Sequence, residues 1–253
     1  MWDNPRALNG MAAGIAVAAL ALLAWGATTW AVRQPAFAFR EVVIQGPLVR
    51  ANPAYLEAVI REELRGTFFT MRLADARASL SRVPWVRDVA LRRLWPGRLE
   101  VSVSEHEPLA RWNDNALVNS HGEVFSADYD GELPQFVGPE GSAAEVTAHF
   151  REFGGMLRPA NLAIAEISLS PRGGWRVNTG RGAMTIELGR IDPGGRLSRF
   201  VANYARTVGR LERAAKHVSR VDLRYGNGFA ATVQGFTEPA AKQNRPDRSG
   251  RRR

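Results

Sequence analysis

Apolar residues fill positions 11–32 (MAAGIAVAALALLAWGATTWAV) without one charge, a stretch unlike anything later in the chain. Its 22 residues make a helix of roughly 33 Å, enough to cross a hydrocarbon core of about 30 Å. Trp25 and Trp30 fall toward its far end, where amphipathic rings favour the headgroup zone. A helix buried in a soluble core rarely runs so far without a polar break. A cleaved signal peptide is the other rival, with Ala36-Phe37-Ala38 as its cleavage site, but its apolar segment normally spans about 7–15 residues. The pattern therefore predicts an uncleaved anchor over 11–32 behind a short head, 1–10. Arg6 before it and Arg33 and Arg40 after it are too balanced to orient it by positive charge. A head that short cannot fold, so the working parts lie on one side of the membrane.

Beyond the anchor the periodicity changes. Residues 39–45 (FREVVIQ) read as a strand ended by Gly46-Pro47. Asn52 and Pro53 suit a helix start, and Leu56, Val59, Ile60 and Leu64 give that helix one apolar face before Gly66 stops it. A second helix spans about 72–82, with Leu73, Ala76 and Leu80 inward and Pro84 ending it. Trp85, Val89, Leu91 and Trp95 share one parity of the next stretch, which predicts a core position for both tryptophans. Pro96-Gly97 turns the chain, and Leu99, Val101 and Val103 alternate with Glu100, Ser102 and Ser104 as in a half-buried strand. The order over 37–107 is β-α-α-β-β.

From Leu109 the pattern is of short strands, at 110–113, 116–119, 123–125 and 135–137, separated by turn clusters such as Ser120-His121-Gly122. Ser142 and Glu145 form a capping box for a helix with Val146, Phe150, Phe153 and Leu157 on one side. Strands follow at 163–169, 175–179 and 184–188, the last two joined by Gly180-Arg181-Gly182. Pro193-Gly194-Gly195 precedes one long amphipathic helix with Leu197, Phe200, Val201, Tyr204, Val208 and Leu211 inward. Its outer row of Arg196, Arg199, Arg206, Arg210 and Arg213 reads as a solvated face. Segments 218–225 and 229–233 close the fold as a hairpin around Gly226-Asn227-Gly228, with the last strand at or near a sheet edge. The class is thus α+β: a transmembrane helix, a small α/β layer, and a β-rich region with two helices over 108–236.

Charge changes this picture little. Of a net charge of +9, the stretch 240–253 supplies six basic residues against one acidic, so the rest carries no footprint for a nucleic-acid duplex. The tail 237–253 lacks apolar residues that could fold it and reads as disordered. With no cysteine, disulfides, zinc thiolates and thiol nucleophiles are excluded. His106, His121, His149 and His217 show no metal-ligand spacing, and no serine sits in a G-x-S-x-G elbow. Glu105-His106-Glu107 reads as a solvated strand end, and Gly180-x-Gly182 as a turn rather than a nucleotide loop. These patterns predict no catalytic residues, cofactor or metal, and so a binding protein.

The order β-α-α-β-β resembles a POTRA domain. Gly66-Thr67-Phe68-Phe69-Thr70, Val83-Pro84-Trp85-Val86, Arg92-Arg93-Leu94-Trp95-Pro96 and Ala110-Arg111-Trp112-Asn113, in that order behind an anchor, resemble the FtsQ/DivIB family of cell-division proteins. The likeness extends to about Gly235. It implies a single-pass inner-membrane protein with a cytoplasmic N-terminus and periplasmic domains at the division septum. It also implies a scaffold that binds the small partners FtsB and FtsL and helps control septal cell-wall assembly. By the same resemblance the partner site falls on the terminal strands, at Tyr225, Asn227, Gly228 and Phe229, with Arg172 beside them. Val233 stands where that pattern expects an aromatic residue near the strand's end. The alternative is a component of polypeptide transport or outer-membrane assembly that uses its POTRA domain on client chains. An anchored cell-wall hydrolase is the enzyme-class rival, and it lacks catalytic groups.

Overall fold

The computed structural model describes residues 5–63, 66–180, 184–226 and 228–234. Leu64, the Arg181-Gly182 part of a predicted turn, Asn227 and the tail 237–253 lie outside the described residues. The chain divides into two compact units at Glu107/Pro108, with residues 125–128 returning to the first.

In the first unit, α1 (Pro5–Val32) is continuous, and its Asn9–Val32 portion is long and apolar enough to span a bilayer. The rest of the described chain buries no residue of its most apolar 18-residue window, which removes the buried-core reading. A 3-10 turn at Pro35–Phe37 leads to β1 (Glu41–Gln45), α2 (Pro53–Glu63), α3 (Leu73–Leu80), β2 (Val86–Leu94) and β3 (Arg98–Glu105). The sheet order is β1-β3-β2, with β1 parallel and β2 antiparallel to β3. The local signals act as expected: Asn52 Oδ1 accepts the Ala54 N–H at 3.0 Å, and Gly66 takes φ +129° beyond α2. Leu56, Ile60, Ala76 and Leu80 from the helices are buried with Val89, Leu99, Val101 and Val103 from the sheet.

Three expectations here are corrected. A bulge between Val86 and Asp88 shifts the parity of β2, so Val86 and Val89 both point inward. Trp85, at φ +71°, lies before that shift and is half-buried, its ring edge-on to Phe125 at 5.6 Å. Trp95 is 65% exposed, because it occupies the hairpin tip rather than the strand. Finally, Glu105-His106 is structural. The Glu105 carboxylate accepts backbone N–H groups of Val49, Arg50 and Ala51 at 2.9–3.2 Å, and His106 stacks on Phe125 at 4.1 Å.

The second unit is built on a sheet of order β12-β11-β10-β9-β8-β7-β4-β5-β6. Its strands are β4 (Pro108–Trp112), β5 (Ala116–Asn119), β6 (Val124–Phe125), β7 (Gln135–Val137), β8 (Ile164–Leu169), β9 (Trp175–Thr179), β10 (Thr185–Gly189), β11 (Val218–Asp222) and β12 (Ala230–Val233). The pairs β4/β7, β7/β8 and β10/β11 are parallel. Parallel neighbours need a crossover: the first runs through β5 and β6, and helical segments fill the other two, α4 (Ala143–Leu157), then α5 (Pro193–Tyr204) with α6 (Val208–Arg213). α4 packs on β8 and α5 on β10, and the two helices touch. Phe136, Phe153, Leu157, Ile167, Ile186, Leu197 and Phe200 form the fully buried centre.

Two helix readings change. Ser142 has φ −89° and ψ 1°, not the extended backbone of a capping residue, and its hydroxyl donates to the Pro139 carbonyl at 2.7 Å. No capping box forms. The single helix expected after Gly195 is two, broken at 205–207. Its apolar stripe is still continuous, with Leu197, Phe200, Tyr204 and Val208 all buried. The break lets the chain fold back on Tyr204: a Cβ on Gly209 would lie 3.2 Å from the Tyr204 carbonyl oxygen, and the Tyr204 hydroxyl donates to Glu212 at 2.6 Å. Burial and that carboxylate raise the tyrosine's pKa.

Urea denaturation of the chain from residue 37 onward tests these assignments. Phe136→Ala should cost about 3–5 kcal/mol as a fully buried aromatic, and Trp85→Ala clearly less. Glu105→Ala should cost about 1 kcal/mol, since water can replace the carboxylate at the exposed Val49 and Arg50 N–H groups and only Ala51 is buried. Equal losses for Trp85→Ala and Phe136→Ala would show that Trp85 belongs to the core after all.

Candidate partner-binding site

Strand direction brings three loops to one end of the second unit. β9 begins where its antiparallel neighbour β10 ends, since Trp175 faces Gly189. β11 runs parallel to β10, with Glu187 opposite Asp222, so it ends at the same level. The 170–174 turn, the 190–192 segment and the 223–229 loop therefore sit side by side. Side-chain contacts agree: a Cβ on Gly173 would lie 3.4 Å from Arg190 Cγ, and one on Gly189 3.0 Å from Arg224 Cγ.

The 223–229 loop is anchored at its start. The Leu223 N–H donates to Glu187 O at 2.8 Å, extending the ladder one residue past β11, and the Leu223 side chain is buried. Arg224 folds back on Asp222, with Nε and Nη2 donating at 2.9 and 2.7 Å, and its own N–H donates to Oδ1 at 3.0 Å. That guanidinium holds the Asp222 carboxyl below the usual carboxylate range. With a depressed pKa in the folded chain, the pair's contribution is full above the ordinary carboxylate value. It is lost only as pH falls through the lowered one.

Beyond this anchor the loop opens. Tyr225 is 59% exposed, and a Cβ on Gly226 or Gly228 would meet nothing within 4 Å. Phe229 turns back, edge-on to Phe200 of α5 at 5.4 Å and half-buried. Tyr225, Gly226, Gly228 and Phe229 form one wall of a groove of ≈ 520 Å³, whose other wall includes Arg196, Arg199 and Asn203 of α5. Two arginines read as part of a solvated row thus face the candidate site. The α5 turn that presents them starts at Asp192, whose side chain accepts the Gly195 N–H at 3.0 Å, and Arg196 Nη1 donates to Leu188 O at 2.7 Å. The exposed, regularly spaced basic row was the signal available in the sequence; its partner wall was not.

Arg172 is exposed in the β8–β9 turn, which is closed by Gly173 N–H to Ser170 O and Gly174 N–H to Ser170 Oγ at 2.9 and 2.8 Å. It lies at the same sheet end as Tyr225 but does not line the groove. Among the described residues it has no ion pair. β12 follows the loop as the outermost strand, paired among the described residues only with β11 and exposed at Ala230, Ala231 and Thr232. Val233 is half-buried against the core. Asn227 lies outside the described residues.

Of the histidines, His106 and His149 serve packing, while His121 and His217 are exposed. His149 pairs with Glu152 at 3.0 Å and packs against Trp175, its ring centroid 4.3 Å away. No group of three possible metal ligands occurs among the described residues.

Residues 37–106 match the family described as POTRA domain, FtsQ-type, and residues 110–224 match Cell division protein FtsQ/DivIB, C-terminal. The second match stops just before Tyr225. Cell division protein FtsQ of Burkholderia pseudomallei is 38% identical over 243 residues, covering 93% of this chain and 96% of that protein. FtsQ of Nitrosospira multiformis is 38% identical, with 91% and 98% covered, and that of Bordetella pertussis 33%, with 92% and 93%. Two successive domain matches and near full-length similarity make this chain a member of the FtsQ/DivIB family of cell division proteins.

Proposed function

We propose that the chain is a non-enzymatic, single-pass scaffold of the bacterial divisome. Its N-terminus is cytoplasmic, its two folded units are periplasmic, and it binds FtsB- and FtsL-type partners at the septum, helping to control cell-wall assembly there. The observation that carries this reading is the outer edge of β12 beside the Tyr225–Phe229 groove. An unpaired strand edge offers a row of backbone donors and acceptors, and an extended partner adds to it as a further strand. Backbone bonds give such a complex affinity, and neighbouring side chains give it specificity.

Each proposed contact has its own chemistry. Tyr225 supplies an exposed ring with a polar end, the combination enriched among interface anchors. Gly228, with open space around it, lets a partner backbone approach closely. Phe229 braces the loop against α5, and Asn227, next to Gly228 in the sequence, is proposed as a further contact. Arg172 offers a planar fork to a partner carboxylate at the same sheet end. The arginines of the groove, Arg196 and Arg199, favour an acidic partner segment and speed its approach.

Two measurements test the proposal. A reporter active only in the periplasm, fused after Gln234, should be active; activity of a cytoplasmic reporter there instead would reverse the orientation. Titrating folded variants with the periplasmic segment of an FtsB-type partner should show Tyr225→Ala weakening binding about thirty-fold, as for an anchor worth about 2 kcal/mol. Arg172→Glu should also weaken it, with no change in melting. Unchanged affinity in both variants would move the interface off this end of the sheet.

A further inference from the structure

The first unit carries an aromatic patch that the partner site does not use. The Thr67 hydroxyl donates to the carbonyl of Val32, the last residue of α1, and Thr67 is buried there. The Phe68 N–H donates to Phe37 O at 2.7 Å, and the Arg40 N–H to Gly97 O at 2.8 Å. The 67–70 turn and the β2–β3 hairpin tip are thereby held at the end of the apolar helix. Phe37, Phe68, Phe69 and Trp95 meet there, with ring centroids 5.2–6.5 Å apart. Mutual contact does not cover them: Phe69 remains 49% and Trp95 65% exposed.

We infer that this patch rests in the headgroup zone of the phospholipid bilayer that α1 spans. Three observations select lipid as the occupant. The first is continuity: Trp30, itself 68% exposed, sits two residues before the carbonyl that Thr67 grips, so the patch extends the helix's own aromatic belt. Composition is the second, since tryptophan and phenylalanine beside arginine suit the boundary between acyl chains and headgroups. The third is charge. Segments 33–41, 66–73 and 92–98 contain six arginines; Arg72 is paired with Asp75 and Arg98 with Glu41, which leaves Arg33, Arg40, Arg92 and Arg93 to give the rim its positive charge. Such a rim attracts anionic headgroups. Docking of this kind holds the POTRA-type unit at a set angle to the membrane instead of letting it swing on the 33–38 spacer.

The inference rests on α1 being the span, and the test separates the two. The chain has no cysteine, so single spin labels can be placed in the full-length protein by Phe69→Cys, Trp95→Cys, Leu20→Cys and Val49→Cys. Val49 is 77% exposed and lies near Glu105, at the other end of β3, about 25 Å from the hairpin tip. In phosphatidylethanolamine/phosphatidylglycerol vesicles, labels at 69 and 95 should collide with an aqueous nickel chelate several-fold less often than the label at 49. They should be less shielded than the label at 20. If 69 and 95 match 49 while 20 is shielded, the span stands and the docking is wrong. A water-exposed label at 20 would remove the span and the docking with it. Labels free in these vesicles but shielded in native membranes would assign the patch to a protein partner and overturn the inference.

Discussion

Parallel strands cannot be joined by a tight turn, and that constraint organises the second unit. Because β11 lies parallel to β10, the chain leaves the sheet, crosses its face as α5 and α6, and returns. The crossover does two things at once. It lays Leu197, Phe200 and Tyr204 over the sheet as core, and it sets Arg196 and Arg199 beside the loop that follows β11. The return to β11 also commits the last hairpin to the sheet's margin, so β12 has a neighbour on one side only among the described residues. The groove and the open edge are consequences of one topological decision.

The same strands are tied by charge as well as by backbone. Glu187 on β10 is only 8% exposed, yet it receives Arg176 of β9 at 2.8 Å and Arg220 of β11 at 3.0 Å. A carboxylate this deep is tolerable only because both guanidinium groups satisfy it. The bridge spans three adjacent strands next to the level where the 223–229 loop departs. Rigid strands below and a loop anchored by Asp222 and Arg224 leave Tyr225 exposed on a firm base, which lowers the ordering cost of any partner that binds it.

In the first unit, polar groups near chain turns are answered by particular partners. Glu105 collects the three N–H groups ahead of α2, and Thr67 takes the terminal carbonyl of α1. Each bond joins segments far apart in sequence, and each lies outside the small aliphatic core that two helices and the sheet enclose. These ties compensate for a core too thin to hold both ends alone.

The amino-acid sequence alone determined the anchor, the β-α-α-β-β order and most element positions, because those depend on unbroken apolar length, on periods of 3.6 and 2, and on local punctuation by Asn52-Pro53, Gly66 and Pro96-Gly97. It also pointed to the closing hairpin and to the residues around Tyr225, through turn chemistry and family likeness. Where it misled, one extra residue or one distant contact was responsible. The bulge at β2 reversed the parity that made Trp85 a core residue, and nothing in VPWVRDV marks it. The break after Tyr204 preserved the apolar stripe, so periodicity could not reveal it. Only the tertiary structure turned Arg196 and Arg199 from a solvated row into a groove wall and set Arg172 on the same sheet end as Tyr225. Those are relations between strands paired across long sequence distances. Such pairing is decided by which faces can be buried together, not by any local preference of the residues themselves.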